Sequence, residues 1–204
     1  MELIKHRINT LEELVSLDEG LGAEIDVRYH CNELILHHDP FCHHEKKFNS
    51  LENFLKNWRN SENTLILNLK TEGIEESCIE LINSYKISNW FFLDLSMPYS
   101  VKFANFIDAQ GFSSKNLAVR FSDFEPIEYS LSFKDKARWV WVDTFKEFPL
   151  NMQSYEKLKN ANFKIILVSP ELQKHDLSMI EEIQKTTMDM KIDAVCTKFP
   201  DLWK

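Results

Sequence analysis

The sequence predicts an α/β fold of one particular kind, a compact TIM-type (β/α)8 barrel with a small extra strand and loop after strand 2. Two observations predict it. Short apolar runs recur eight times along the 204 residues, at 3–5, 23–27, 65–69, 90–95, 117–120, 139–142, 164–168 and 194–196. Each is bounded by polar or turn residues, as a parallel strand buried on both faces should be. The segments between them carry apolar residues at helical spacing. Eight repeats in this length leave roughly 25 residues per unit, close to one βα unit each. A sheet that wide closes into a barrel more readily than it stays open, although about 250 residues is typical of the fold. No Pro/Gly/Ser linker or low-complexity tract divides the chain, so residues 1–204 read as a single domain.

The elements follow in order. After the first run, Leu11, Leu14 and Val15 form an apolar stripe. Residues 29–49 make a longer connection, with an extra strand at 34–36. Asn49-Ser50 then offers a cap for a helix with Leu51, Phe54, Leu55 and Trp58 on one face. Ile79, Ile82 and Tyr85 continue the theme, followed by Val101, Phe103, Phe106 and Ile107. Tyr155 to Leu158 and Ile180 to Ile183 mark the last two helices, with Met188 and Met190 expected to pack at the end of the final one.

Composition narrows the function. With 44% hydrophobic residues the chain has enough apolar surface for a sizeable core. A net charge of −8 argues against nucleic acid as a partner, because phosphate backbones call for a basic face. No apolar run approaches the roughly 20 residues of a membrane helix, and the start of the chain has no signal-peptide core, so stable membrane insertion is not expected and a cytoplasmic protein is. Cys31, Cys42, Cys78 and Cys196 form no CxxC pair and read as reduced thiols. The glycines, at 20, 22, 73 and 111, spell neither GxGxxG nor a P-loop.

Active sites of such barrels lie at the C-terminal ends of the strands. Here those ends carry His6-Arg7, Glu24/Asp26/Arg28, Asn68/Lys70/Glu72, Asp94, Arg120, Asp143, Ser169 and Lys198. Alternation places Glu24, Asp26 and Arg28 on one face of their strand, and Asn68, Lys70 and Glu72 on one face of theirs. A ring of charge of this kind points to a polar pocket. Trp141 belongs either to that pocket or, more simply, to the core. Two buried carboxylates at i and i+2 need compensation. Either a hard divalent cation with oxygen ligands or salt bridges to Arg7, Arg28 or Lys70 would supply it. Six of the seven histidines fall between residues 6 and 44. His37, His38, Cys42, His43 and His44 read as a solvated loop or a soft-metal cluster, though their spacing matches no standard zinc motif. His6 and His38 read as a catalytic pair.

Taken together, His6-Arg7, Gly22-Ala23-Glu24-Ile25-Asp26-Val27, His37-His38-Asp39-Pro40 and Asn68-Leu69-Lys70 resemble the HR, GA-x-E-x-D-V, HD and E-x-K motifs of the glycerophosphodiester phosphodiesterase family. That family is part of the wider group of phosphatidylinositol-specific phospholipase C-like phosphodiesterases. Cys196-Thr197-Lys198-Phe199-Pro200 is similar to its closing T-D-x-P, so the resemblance runs from residue 6 to residue 200. It implies a TIM barrel that cleaves a small soluble phosphodiester with the help of a divalent metal ion (Mg²⁺ or Ca²⁺, or else Mn²⁺). It makes His6 and His38 general acid and base, and Glu24, Asp26 and Asn68 the metal ligands. Arg7 and Lys70 become phosphate ligands, with Arg28, Arg120 and Lys198 expected beside them in the pocket.

This chain departs from the family pattern at several points. Asn68 stands where the family has Glu, with Glu72 as a possible substitute ligand. Ile8 replaces a glycine, Lys198 replaces the closing aspartate, and the insertion after HD is largely missing. The alternative reading is a catalytically weakened barrel that binds a phosphorylated or nucleotide-linked sugar.

Overall fold

The computed structural model describes residues 1–40, 48–60, 62–110 and 116–204, with the side chains of residues 107–110 outside the description. The chain begins with β1 (Glu2–Lys5), α1 (Leu11–Val15), β2 (Gly22–His30), β3 (Glu33–Leu36), β4 (Asn49–Ser50) and α2 (Leu51–Asn57). It continues with β5 (Leu65–Leu69), α3 (Glu75–Ser84), β6 (Trp90–Leu93), α4 (Met97–Gln110), β7 (Ala118–Phe121) and α5 (Ile127–Ser132). The last elements are β8 (Trp139–Val142), α6 (Met152–Asn160), β9 (Lys164–Val168), α7 (Met179–Thr186) and β10 (Ala194–Thr197), with 3₁₀ turns at Pro170–Gln173 and Pro200–Trp203.

Eight of these strands form a closed parallel ring in the order β1, β2, β5, β6, β7, β8, β9, β10 and back to β1. The predicted barrel is therefore the observed one. The extra strand at 34–36 is β3, which runs antiparallel to β2 and carries a further two-residue strand, β4, that periodicity did not mark. One junction differs from the others: β6 meets β7 through a single backbone bridge, Phe92 to Leu117. At the base of that junction the Asn116 side chain donates to the Trp90 carbonyl at 2.7 Å.

Strand alternation divides the core into two. Outward-facing residues such as Ile25, Leu67, Phe92 and Val140 pack beneath the helices. Inward-facing residues fill the barrel with Ile4, Ile66, Phe91, Leu93, Trp139, Trp141, Ile166, Val168 and Cys196. This plug closes the lower barrel, and polar residues cap it above. β2 is packed so closely between β1 and the start of β5 that a Cβ on Gly22 would lie 2.6 Å from the Thr64 carbonyl oxygen and 2.9 Å from Ile4.

The helices follow their stripes unevenly. α1 has only five residues, and Val15, the last of them, is exposed. Val101 is also exposed although Phe103 beside it is buried, and Met190 packs while Met188 does not. In α2, Ser50 is the N-cap, as expected, and its hydroxyl accepts from the Asn53 amide at 3.2 Å. Cys31, Cys78 and Cys196 are free thiols. Cys42, His43 and His44, three of the five residues of the soft-metal reading, lie outside the described residues, as does Gly111. No helix among the described residues is long and apolar enough to cross a membrane.

Candidate active site

The upper end of the barrel holds a cavity of about 280 Å³ lined by His6, Arg7, Glu24, His38, Asn68, Lys70, Asp94, Arg120, Trp141, Asp143 and Gln173, with Leu93, Val168 and Leu172 below. Each side chain arrives by the alternation of its strand. β2 turns Glu24 and Asp26 inward, and both are 1% exposed. β5 places Asn68 and Lys70 beside them, with Asp26 opposite Asn68 in register. β1 ends in His6, and Arg7 follows with a left-handed backbone (φ 58°) that aims its N–H at Glu24.

The carboxylates are held by a dense set of donors. Glu24 Oε2 accepts from the Arg7 backbone N–H at 2.8 Å, and Oε1 accepts from the Asn68 amide at 2.9 Å. Asp26 Oδ2 accepts from Asn9 Nδ2 at 2.8 Å, while the Asp26 backbone N–H donates back to Asn9 Oδ1 at 2.9 Å. Arg7 Nε lies 3.5 Å from Asp26 Oδ2, and Lys70 Nζ lies 3.5 Å from Asp26 Oδ1. Burial and the Asp26 charge push the Glu24 carboxyl well above the ordinary range, against the Asn68 and Arg7 hydrogen bonds. His6 Nε2 stands 3.7 Å from Glu24 Oε2. Burial first, and then the cations Arg7 and Lys198, hold the His6 pKa down to about 3. His6 is thus a neutral imidazole at pH 7, and its contact with Glu24 is not an ion pair.

His38 sits at the mouth, after β3. Its Nδ1 meets Asp39 Oδ1 at 2.6 Å, which orients the ring and leaves Nε2 for the cavity. Arg28 fixes the loop behind it. Its Nε, Nη1 and Nη2 donate to the carbonyls of His37 (3.2 Å), Lys70 (3.2 Å) and His38 (2.8 Å). Arg28 therefore ties the hairpin to β5 rather than lining the cavity.

Across the mouth, Arg120 forms ion pairs with Asp94, with Asp143 at 3.0 Å and with Glu125 at 3.6 Å. Asp143 also accepts from Gln173, Trp141 and the Thr144 N–H. Trp141 serves both expectations: its ring belongs to the barrel plug and its Nε1 edge reaches the pocket. Lys198 is exposed at the rim, outside the cavity lining but close enough to act on His6 through its charge. Ser169 is fully buried and accepts from Trp203 Nε1 at 2.8 Å.

Eight of the ten expected site residues thus gather here: His6, His38, Arg7, Lys70, Arg120, Glu24, Asp26 and Asn68. The other two do not line the cavity, for the reasons given above. Glu72 is exposed and takes no part. Asn9, Asp39, Glu125 and Gln173 were not singled out from the sequence. Asp39 alone had a visible signal, as the neighbour of His38 in the HD pair. The others come together only through the fold.

Among the described residues no group of three His, Cys, Asp or Glu side chains is arranged to hold a metal ion. An oxygen set of a different make-up is present. Asp26 Oδ1 and Asn68 Oδ1 are both buried without a hydrogen-bond partner, next to the Glu24 carboxyl. Two carboxylates and one amide oxygen are donor types that suit a hard divalent cation, while the ion pairs from Arg7 and Lys70 already compensate Asp26, as the salt-bridge alternative expected.

No family model matches the chain, and no curated protein matches it. Solved structures do. A crystal structure of glycerophosphodiester phosphodiesterase from Agrobacterium tumefaciens is similar at a TM-score of 0.68 and 14% identity, covering 99% of this chain and 98% of that one. A glycerophosphoryl diester phosphodiesterase from Parabacteroides distasonis is similar at a TM-score of 0.65 and 13% identity, covering 98% of this chain and 84% of that one. Over its whole length, then, this chain has the barrel fold of the glycerophosphodiester phosphodiesterases, at a sequence distance where the fold is what the likeness establishes.

Proposed function

We propose that this protein is a metal-dependent phosphodiester hydrolase that acts on a small soluble phosphodiester, with His6 and His38 as its acid/base pair. One observation carries the reading. One cavity brings His6, His38, Arg7 and Lys70 together with Glu24 and Asn68, with Asp26 behind them, and Asp26 Oδ1 and Asn68 Oδ1 are buried with no hydrogen-bond partner. The site residues expected from the motifs meet there, on a fold shared with known phosphodiesterases.

Glu24, Asp26 and Asn68 would hold the cation, either Mg²⁺, Ca²⁺ or Mn²⁺. When bound, such an ion supplies positive charge to the non-bridging phosphate oxygens. Lys70 and Arg7 add to that charge, and their contacts with Asp26 aim both toward the same place. His6, neutral and largely buried, accepts the proton of the attacking hydroxyl. His38 lies at the half-exposed mouth, where solvent can reload it, and its orientation by Asp39 suits delivery of a proton to the leaving alkoxide. The nucleophile is water or a substrate hydroxyl vicinal to the phosphate. Unpaired cysteines and the acidic charge fit a cytoplasmic setting.

The test is cleavage of a bis-aryl phosphodiester by metal-stripped protein, with Mg²⁺, Ca²⁺ or Mn²⁺ restored, beside His38→Ala. Turnover that requires the cation and falls by about 100-fold or more in the variant is the expected result. Absence of turnover with every cation, together with calorimetric binding of a sugar phosphate, would instead favour the binding-barrel reading. Replacement of a charged ligand by Asn68 is the observation behind that second reading.

A further inference from the structure

Its place at a strand end sets Arg120 among the residues expected to bind phosphate, yet its guanidinium is already engaged. Nη2 pairs with Asp94, Nη1 with Asp143 at 3.0 Å, and Nε lies 3.6 Å from Glu125. The group also lies over the Phe145 ring, 5.5 Å from its centroid. These carboxylates engage all three nitrogens of the guanidinium, and their charge would repel a phosphate that approached its remaining N–H groups.

The pairing with Asp94 has a consequence at Lys70. Asp94 ends β6 in a left-handed conformation (φ 63°), which turns its carboxylate sideways across the mouth. One oxygen faces Arg120, and the other accepts from Lys70 Nζ at 3.2 Å. Lys70 is therefore shared between two carboxylates, Asp94 at 3.2 Å and Asp26 at 3.5 Å. Without a second cation on Asp94, the full carboxylate charge would act on Lys70, draw the ammonium toward β6 and cancel the charge it offers to phosphate. Arg120 takes up that charge from the far side. Burial alone would raise the Asp94 carboxyl, yet the Arg120 and Lys70 charges outweigh it and hold it below the ordinary range, so Asp94 stays ionised. The same ion pair crosses the β6–β7 junction where the backbone ladder is reduced to one bridge.

We infer that Arg120 is a positioning residue. It neutralises Asp94 from across the β6–β7 junction and thereby keeps Lys70 available to the substrate phosphate between Asp26 and Asp94. The inference rests on the hydrolase reading above for its catalytic consequence, but not for its test by binding.

Three variants separate it from the alternatives: Arg120→Met, Asp94→Asn and the two combined. Arg120→Met should lower kcat/KM by about tenfold or more. Asp94→Asn alone removes the competing charge at constant shape and should lose less than Arg120→Met does. The combined variant should recover most of what Arg120→Met loses, a non-additivity that direct contact between Arg120 and phosphate does not produce. Arg120→Lys, with one point charge in place of a fork, should be intermediate, and it replaces Arg120→Met if that variant does not fold. Calorimetry with inorganic phosphate on the same proteins should follow the same order, whether or not the protein turns over a diester. No turnover in the parent, with phosphate binding still in this order, would sink the hydrolase reading and leave the inference standing. A combined variant as poor as Arg120→Met in both measurements would overturn the inference. So would activity losses that merely track the folded fraction in thermal melts.

Discussion

At the scale of single residues, His6 offers the cleanest test of how burial acts on the site. Its pKa is depressed from 6.5 to about 3, chiefly by burial. As pH falls below 6.5 the unfolded chain takes up a proton that the native imidazole refuses, so the native state loses stability steadily until its own low pKa is reached. By pH 5 that amounts to about 2 kcal/mol, at roughly 1.4 kcal/mol per unit. Urea unfolding at pH 7 and pH 5 should therefore show the parent losing about 2 kcal/mol more than His6→Gln over this interval. Equal losses would mean that His6 is not buried as a neutral base. That His6 lines the cavity was legible from its place after the first strand. That it is neutral was not, because burial and the cations around it come from distant parts of the chain. Arg120 is the opposite case. Its position at a strand end was visible, but the three carboxylates that engage it arrive on β6, β8 and the loop after β7, which no local pattern reveals.

At the scale of elements, the strands were legible almost to the residue, since a parallel strand buried on both faces leaves a run of apolar residues with few alternatives. β5, β8 and β9 coincide with their runs. β2 runs three residues beyond its apolar stretch, because pairing with β3 supports a polar segment. The helices were less exact. α1 and α5 are too short for a periodic stripe to fix which side is buried, and their packing against the barrel decides it. The contact between β1 and β2 yields a sharp prediction. Gly22 has no room for a side chain, with the Thr64 carbonyl 2.6 Å from where a Cβ would sit. Gly22→Ala should cost about 1–3 kcal/mol in urea unfolding, as overpacking against backbone that cannot move aside. A neutral effect would mean that β2 and β5 separate more easily than their pairing implies.

At the scale of the whole molecule, closure of the ring is uneven. Seven junctions are backbone ladders, and the eighth, β6 to β7, is one bridge with side-chain bonds above and below. Native-state hydrogen exchange should therefore find the amides of Ala118–Phe121 that face β6 exchanging faster than any others of the barrel strands. Uniform protection around the ring would show that the side-chain bonds serve as well as a ladder. The overall barrel was predictable from the count and spacing of the runs, whereas the weak junction was not, because nothing in the sequence of β6 or β7 distinguishes it.

Arg28 sets the scale on which the two halves of the site are registered. One guanidinium reaches the carbonyls of His37, His38 and Lys70, so the loop bearing His38 and the end of β5 that leads into Lys70 are referred to the same rigid planar group. The separation of those two functional side chains is thus measured out by a part of fixed dimensions, like a gauge block between two machined faces. A lysine at position 28 would keep the charge and lose the gauge.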